Sequence, residues 1–168
     1  MNLSVLPAML AMIPAVCAGV GMRELERIKV IARRAYPAVP QLDTETLAGW
    51  MVAPQPPLLI DVRSTKEYAV SHLQGAVNLQ KAEQIAAAIQ THRPGRTVLY
   101  CSVGFRSSRL ADILAAKGAT NLWNLEGSIF QWVNEGRPIY CGEMAAQQVH
   151  PYGRRWAGLL KPGLASEC

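Results

Sequence analysis

Residues 97–108 read Thr97-Val98-Leu99-Tyr100-Cys101-Ser102-Val103-Gly104-Phe105-Arg106-Ser107-Ser108. The first four form a short apolar run of the kind found in strands buried on both faces. A glycine-containing loop follows, and the pattern turns helical from about Ser107 to Lys117, where Gly118 ends it. Ligands of a parallel sheet bind at the carboxyl ends of its strands, and Cys101 occupies that place. Backbone amides of the loop converge toward a helix N-terminus, which favours an anion by hydrogen bonds and by the helix dipole. A thiolate held there has a lowered pKa, and Arg106 and Arg109 add positive charge. The stretch describes an activated cysteine nucleophile facing an anionic substrate.

Outward from this point, helices and strands alternate. Asp43 caps a helix from Thr44 through Trp50, and the proline-rich residues 54–57 lead into a buried strand, Leu58-Leu59-Ile60-Asp61-Val62. Ser64 with Glu67 has capping-box spacing and opens a short helix to about Ser71. Residues 76–79 form a strand, 82–91 a helix, 121–124 a strand and 129–134 a last helix before Gly136 and Pro138. The expected fold class is α/β: a three-layer sandwich whose mostly parallel sheet has helices on both faces.

Three segments resemble the rhodanese family of sulfurtransferases, in order across residues 41–140. Leu58 to Arg63 with Glu67-Tyr68 and Ser71 to Asn78 is similar to the first signature, and Cys101 to Ser107 to the active-site loop. Leu125-Glu126-Gly127-Ser128-Ile129-Phe130-Gln131-Trp132 is similar to the last, with Glu126 where the family commonly has glycine. The resemblance implies a rhodanese-like domain over residues 40–141 and sulfane-sulfur transfer through a Cys101 persulfide. The donor would be thiosulfate or another small anionic sulfur compound, and the acceptor cyanide, a thiol or a protein. Ser102, Val103, Gly104, Phe105, Arg106 and Ser107 would bind the substrate, with Arg106 as the leading side-chain contact to a sulfonate and Ser107 capping the helix. No metal and no organic cofactor is implied. Two other readings stand beside this one. Related phosphatases and arsenate reductases use a Cys-x5-Arg loop, larger by one residue than the Cys-x4-Arg seen here, and some domains of the fold are non-catalytic binding modules that have lost the cysteine.

The remaining candidates have structural readings. Asp61 and Arg63 end a strand near the expected site; Asp61 as general base is the alternative to a pair that ties loops together and supports the site. His72 sits in a turn motif and is read as a hydrogen-bonding support, and His92 and His150 as surface residues without partners. Cys141 and Cys168 could accept sulfur from Cys101 or pair with it, against a packed Cys141 and a free Cys168. Phe105 and the loops around 54–57 and 80–82 are expected to shape access. Four cysteines without a Cys-x-x-Cys pair argue against a zinc ribbon or a disulfide framework.

The net charge of +5 lies at the ends. Residues 1–36 hold five basic and two acidic side chains, residues 150–168 three and one, and residues 37–149 nine of each. A neutral body without interleaved basic and aromatic residues argues against nucleic acid as a partner. Residues 1–22 carry no charge and as a helix would span about 33 Å, near the bilayer core of about 30 Å. This segment reads as a membrane anchor, a signal peptide or a gene-model extension ahead of Met22; no basic residue precedes it, and Cys17 lacks a lipobox. Arg23 to Arg34 would hold the domain on the cytoplasmic side of a membrane. Residues 23–39 read as a basic amphipathic helix and linker, docked on the domain or lying on a membrane with residues 1–22. Residues 142–168 form an extension in which Trp156, Leu159 and Leu160 can touch the body.

Overall fold

The computed structural model describes residues 13–166, with the side chains of the first helix from residue 19 onward. Five strands form one parallel sheet: β1 (Gln41–Leu42), β2 (Leu58–Asp61), β3 (Val77–Asn78), β4 (Thr97–Tyr100) and β5 (Leu122–Leu125), in the spatial order β1-β5-β4-β2-β3. β4 lies at the centre, with Leu59 opposite Val98 and Asp61 opposite Tyr100 on one side and Val98 opposite Trp123 on the other. Its four residues are all buried, which is why the run carries no polar alternation.

Successive side chains of a strand point to opposite faces, and the two cores follow from this. Leu59, Val98 and Tyr100 face a cluster with Leu47 of α2 (Thr44–Met51) and Ile129, Phe130 and Val133 of α6 (Ser128–Asn134). Ile60, Leu99 and Cys101 face a second cluster with Ile85 of α4 (Ala82–His92) and Ala111 and Leu114 of α5 (Phe105–Ala116). The fold is the expected α/β sandwich of a parallel sheet flanked by helices. Short α3 (Thr65–Val70) begins with the expected capping box: Ser64 Oγ accepts from Glu67 N, and the Glu67 carboxylate accepts from Ser64 N.

Several elements differ from their sequence expectation. β1 and the antiparallel hairpin of β6 (Ile139–Cys141) and β7 (Met144–Ala146) have too few residues to show a period. α5 begins at Phe105, and its N-cap is Gly104 in the left-handed region (φ +97°), so Ser107 lies inside the first turn and does not cap the helix. The first helix, α1 (Ile13–Ala35), extends to the N-terminal side of Arg23 rather than beginning there.

Both ends of the described chain dock on the body. Leu25 and Ala32 of α1 are buried, and Arg33 and Lys29 pair with Glu126 at 3.2 and 3.9 Å. Glu126, which stands where the family commonly has glycine, is thus an anchor for the basic face of α1, and the following Gly127 takes the left-handed turn (φ +68°). Among the described residues no helix is long and apolar enough to cross a membrane. The anchor, signal and gene-model readings fall largely on residues 1–12, outside the described residues, as does Cys168. The tail is held by Val149, which donates to Leu164 O (2.8 Å) and accepts from Ser166 N (3.0 Å), and by Asn134, whose side chain donates to Leu159 O and accepts from Lys161 N, both at 2.8 Å. It includes one turn of helix, α7 (Arg154–Ala157).

Candidate active site

The chain leaves β4 at Tyr100 and is at once laid against the start of α6. Cys101 N–H donates to Ser128 Oγ (3.1 Å), Cys101 C=O accepts from Ile129 N (3.3 Å) and Ser102 C=O accepts from Phe130 N (3.0 Å). Gly104 then turns the chain into α5. A Cβ there would stand 3.3 Å from Asn124 Nδ2 and 3.4 Å from Leu125 O, on a backbone that side chains rarely adopt, so glycine is required twice over. With no side-chain cap, the first-turn amides of α5 are left to the loop.

Cys101 is 1% exposed, and the Gly104 amide donates to its sulfur at 3.2 Å. Burial pushes the thiol pKa up, but the Arg106 charge, the Ser107 hydroxyl and amide, and the Val103 amide together outweigh it and hold the pKa below the ordinary value. Ser107 Oγ is buried and has no well-formed hydrogen bond of its own. Val103 is buried, whereas Phe105 is partly exposed and meets Tyr36 edge to face at 5.4 Å.

Arg106 does not stand free for a substrate. Its Nη1 and Nη2 donate to the two oxygens of Glu67 at 3.0 and 2.7 Å, Nη2 also reaches Ser102 Oγ at 3.0 Å, and the Tyr152 ring covers the guanidinium at 4.6 Å. Glu67 accepts further from Ser64 N, Ser64 Oγ and Ser102 Oγ. Burial alone would raise its pKa; these bonds, Arg106 first, lower it from 4.5 to about 2. Arg106 therefore reaches the sulfur as a fixed positive charge, and the open hydrogen-bonding groups around Cys101 are the loop amides.

The sulfur opens onto a cavity of about 210 Å³. Cys101, Ser102, Val103, Phe105 and Arg106 form one side; Tyr152 and Trp156 of the tail close the other. Neither the loop at 54–57 nor that at 80–82 lines it. Residues 56 and 57 instead border a separate groove of about 550 Å³ with Trp132 and Pro138, which holds no nucleophile.

Asp61 and Arg63 are both fully buried and bonded to each other, with Nη2 to Oδ2 at 2.7 Å and Nη2 also to Ser71 O at 2.6 Å. His72 Nδ1 lies 3.0 Å from Tyr68 O and its ring stacks on Tyr68 at 3.9 Å, while its backbone exchanges hydrogen bonds with Tyr140. His150 has a partner after all: its Nδ1 accepts from Tyr152 N at 3.0 Å. Cys141 is exposed rather than packed and donates to Ala69 O.

Glu67, Ser128, Tyr152 and Trp156 were not singled out as site residues from sequence. Glu67 was accounted for by its capping box, which uses only one of its two oxygens fully. The conformational signal for Tyr152, a φ of +66°, exists only in three dimensions.

A sequence model of the Rhodanese-like domain matches residues 43–135. The tRNA uridine(34) hydroxylase of Prochlorococcus marinus is 31% identical over 88 residues, covering 46% of this chain and 28% of that protein. The tRNA uridine(34) hydroxylase of Bordetella petrii is 28% identical over 130 residues, covering 65% of this chain and 52% of that protein. The chain thus spans about a quarter to a half of the length of these curated relatives. The crystal structure of a thiosulfate sulfurtransferase from Pseudomonas aeruginosa superimposes with a TM-score of 0.59 at 17% identity, over 83% of this chain and 26% of that one, and shares its fold.

Proposed function

The chain belongs to the Rhodanese-like domain family, and from that premise we propose that it is a sulfurtransferase working through a persulfide on Cys101. The observation that carries this reading is the placement of one buried sulfur, 3.2 Å from the Gly104 amide, beneath an uncapped helix start and a fixed arginine charge. Such a cradle favours the thiolate and then an anionic terminal sulfur in the same place.

The Cys101 thiolate attacks the outer sulfur of thiosulfate. The S–S bond of the donor breaks with its electron pair leaving on sulfite, and an S–S bond to Cys101 forms as a persulfide anion. An acceptor then attacks the outer persulfide sulfur; cyanide leaves as thiocyanate, and the Cys101 thiolate is restored. Two single displacements at sulfur need no electron carrier. Amides from Ser102 to Ser107 bind the terminal sulfur and the anionic head of the donor, with Arg106 supplying charge from behind its pair with Glu67. Asp61, Arg63 and His72 hold the surrounding loops. The four-residue gap between Cys101 and Arg106 disfavours a phosphatase, and the retained cysteine disfavours a purely binding role.

Hydroxylation of tRNA uridine 34, for which the similar curated proteins are named, belongs to longer proteins. The neutral body supports a small-molecule substrate for this chain, and the reading places it in the cytoplasm, where thiols are kept reduced. Intact mass after thiosulfate treatment tests the proposal. The wild type gains one sulfur atom that cyanide removes, and Cys101→Ala gains none; equal masses before and after treatment of the wild type overturn it.

A further inference from the structure

The cavity at Cys101 has two unlike ends. At the sulfur it offers amides and a positive charge; beyond it, the walls are Val103, Phe105, Tyr152 and Trp156. A bare inorganic anion such as thiosulfate uses the first end and gains nothing from the second, because apolar and aromatic surface gives its oxygens no partners. The space fits something larger: an apolar cavity of about 150 Å³ accepts benzene, and this one measures about 210 Å³.

The outer wall is built rather than draped. Trp156 is flanked by the Asn134 bonds to Leu159 and Lys161 and by buried Leu159 and Leu160. Tyr152 is held at φ +66°, a conformation costly for an aromatic residue, with its amide on His150 Nδ1. Its ring meets Arg106 on one side and Trp156, edge to face at 6.0 Å, on the other. The strained backbone at Tyr152 thus holds a half-exposed ring between Arg106 and Trp156 at the cavity wall.

Resting on the sulfurtransferase reading, we propose that Tyr152 and Trp156 are specificity-determining residues that select a sulfur donor with an anionic sulfane head on an apolar body, such as an organic thiosulfonate. The head lies on the loop amides and the body against Trp156, Tyr152 and Phe105. Cys101 thiolate attacks the outer sulfur of R–SO2–S⁻; the bond between the two sulfurs breaks and the sulfinate R–SO2⁻ leaves with the electron pair, giving the same Cys101 persulfide.

Benzenethiosulfonate and thiosulfate, assayed on the full chain with cyanide as acceptor, are the probes. The wild type prefers benzenethiosulfonate in kcat/KM. Trp156→Ala lowers the ratio of the two kcat/KM values by about tenfold, mainly through the KM for benzenethiosulfonate, which is the scale of discrimination a lost apolar contact allows. Trp156→Phe, which keeps a ring and controls for loosening of the tail, restores most of the preference. No preference in the wild type, or an unchanged ratio in Trp156→Ala, overturns the specificity proposal while leaving sulfur transfer intact. A wild type that forms no persulfide with either donor overturns the sulfurtransferase reading and this proposal with it.

Discussion

Two arginine–carboxylate pairs, Asp61–Arg63 and Glu67–Arg106, have carboxylates only six residues apart in sequence, and they have been given different work. The first closes on itself: two residues apart, both fully buried, Asp61 takes three contacts from the Arg63 side chain and one from the Arg63 backbone amide. The second joins α3 to the start of α5 across 39 residues, and its arginine side chain remains 35% exposed at the cavity. The difference lies in what remains when the arginine is taken away. Asp61 keeps the backbone amide of residue 63 and the buried Tyr100 hydroxyl but no second charge-bearing donor, whereas Glu67 keeps Ser64 N, Ser64 Oγ and Ser102 Oγ near the protein surface. One pair secures the loops, and the other leaves its charge available to a neighbouring sulfur.

The sharpest way to break that contrast is to remove each arginine in turn. Arg63→Met strands a buried carboxylate and should cost about 3–5 kcal/mol of unfolding free energy in urea. Arg106→Met should cost about 1–2 kcal/mol, since its partner stays hydrogen-bonded. Equal losses would show that the two pairs do the same work.

Chemistry separates the variants in the other direction. Arg106 is the foremost group lowering the Cys101 pKa, so in Arg106→Met the pH profile of Cys101 alkylation by iodoacetamide should move to higher pH. A profile unmoved from the wild type would mean that the amides alone hold the thiolate.

Acid gives the most selective effect, because it acts on the second pair alone through one carboxylate. Glu67 has its pKa lowered in the folded state from 4.5 to about 2. Its ionised form therefore stabilises the fold in full above the unfolded value, and that contribution is lost as the pH falls from about 4.5 through about 2. Glu67→Gln should flatten this part of the stability curve in acid titrations followed by circular dichroism; an unchanged curve would assign the acid sensitivity elsewhere.

What could be read from the sequence followed the range of each interaction. The Cys101 loop was legible because nucleophile, glycine and arginine lie within six consecutive residues after a buried strand. The cap at Asp43 and the box at Ser64 were legible for the same reason: each is closed within one helical turn. The start of α5 was misplaced because a serine is a familiar cap, while the residue in the cap position is a glycine whose role lies in its φ. The bond from Glu67 to Arg106 and the arrival of Tyr152 and Trp156 join distant parts of the chain, and no local period announces them. The tail, whose composition carried no message, closes one side of the cavity with Tyr152 and Trp156.

The close approach of Gly21 and Gly158 has a consequence for how such a molecule tolerates alteration. A Cβ on Gly21 would fall 2.1 Å from Gly158 O, so backbone meets backbone where the first helix crosses the last turn. The missing side chain of Gly21 thus lets two segments 137 residues apart in sequence meet backbone to backbone. The contact fixes the first helix beside the segment that carries Trp156 to the cysteine, so bulk added at residue 21 would press on the cavity wall from behind.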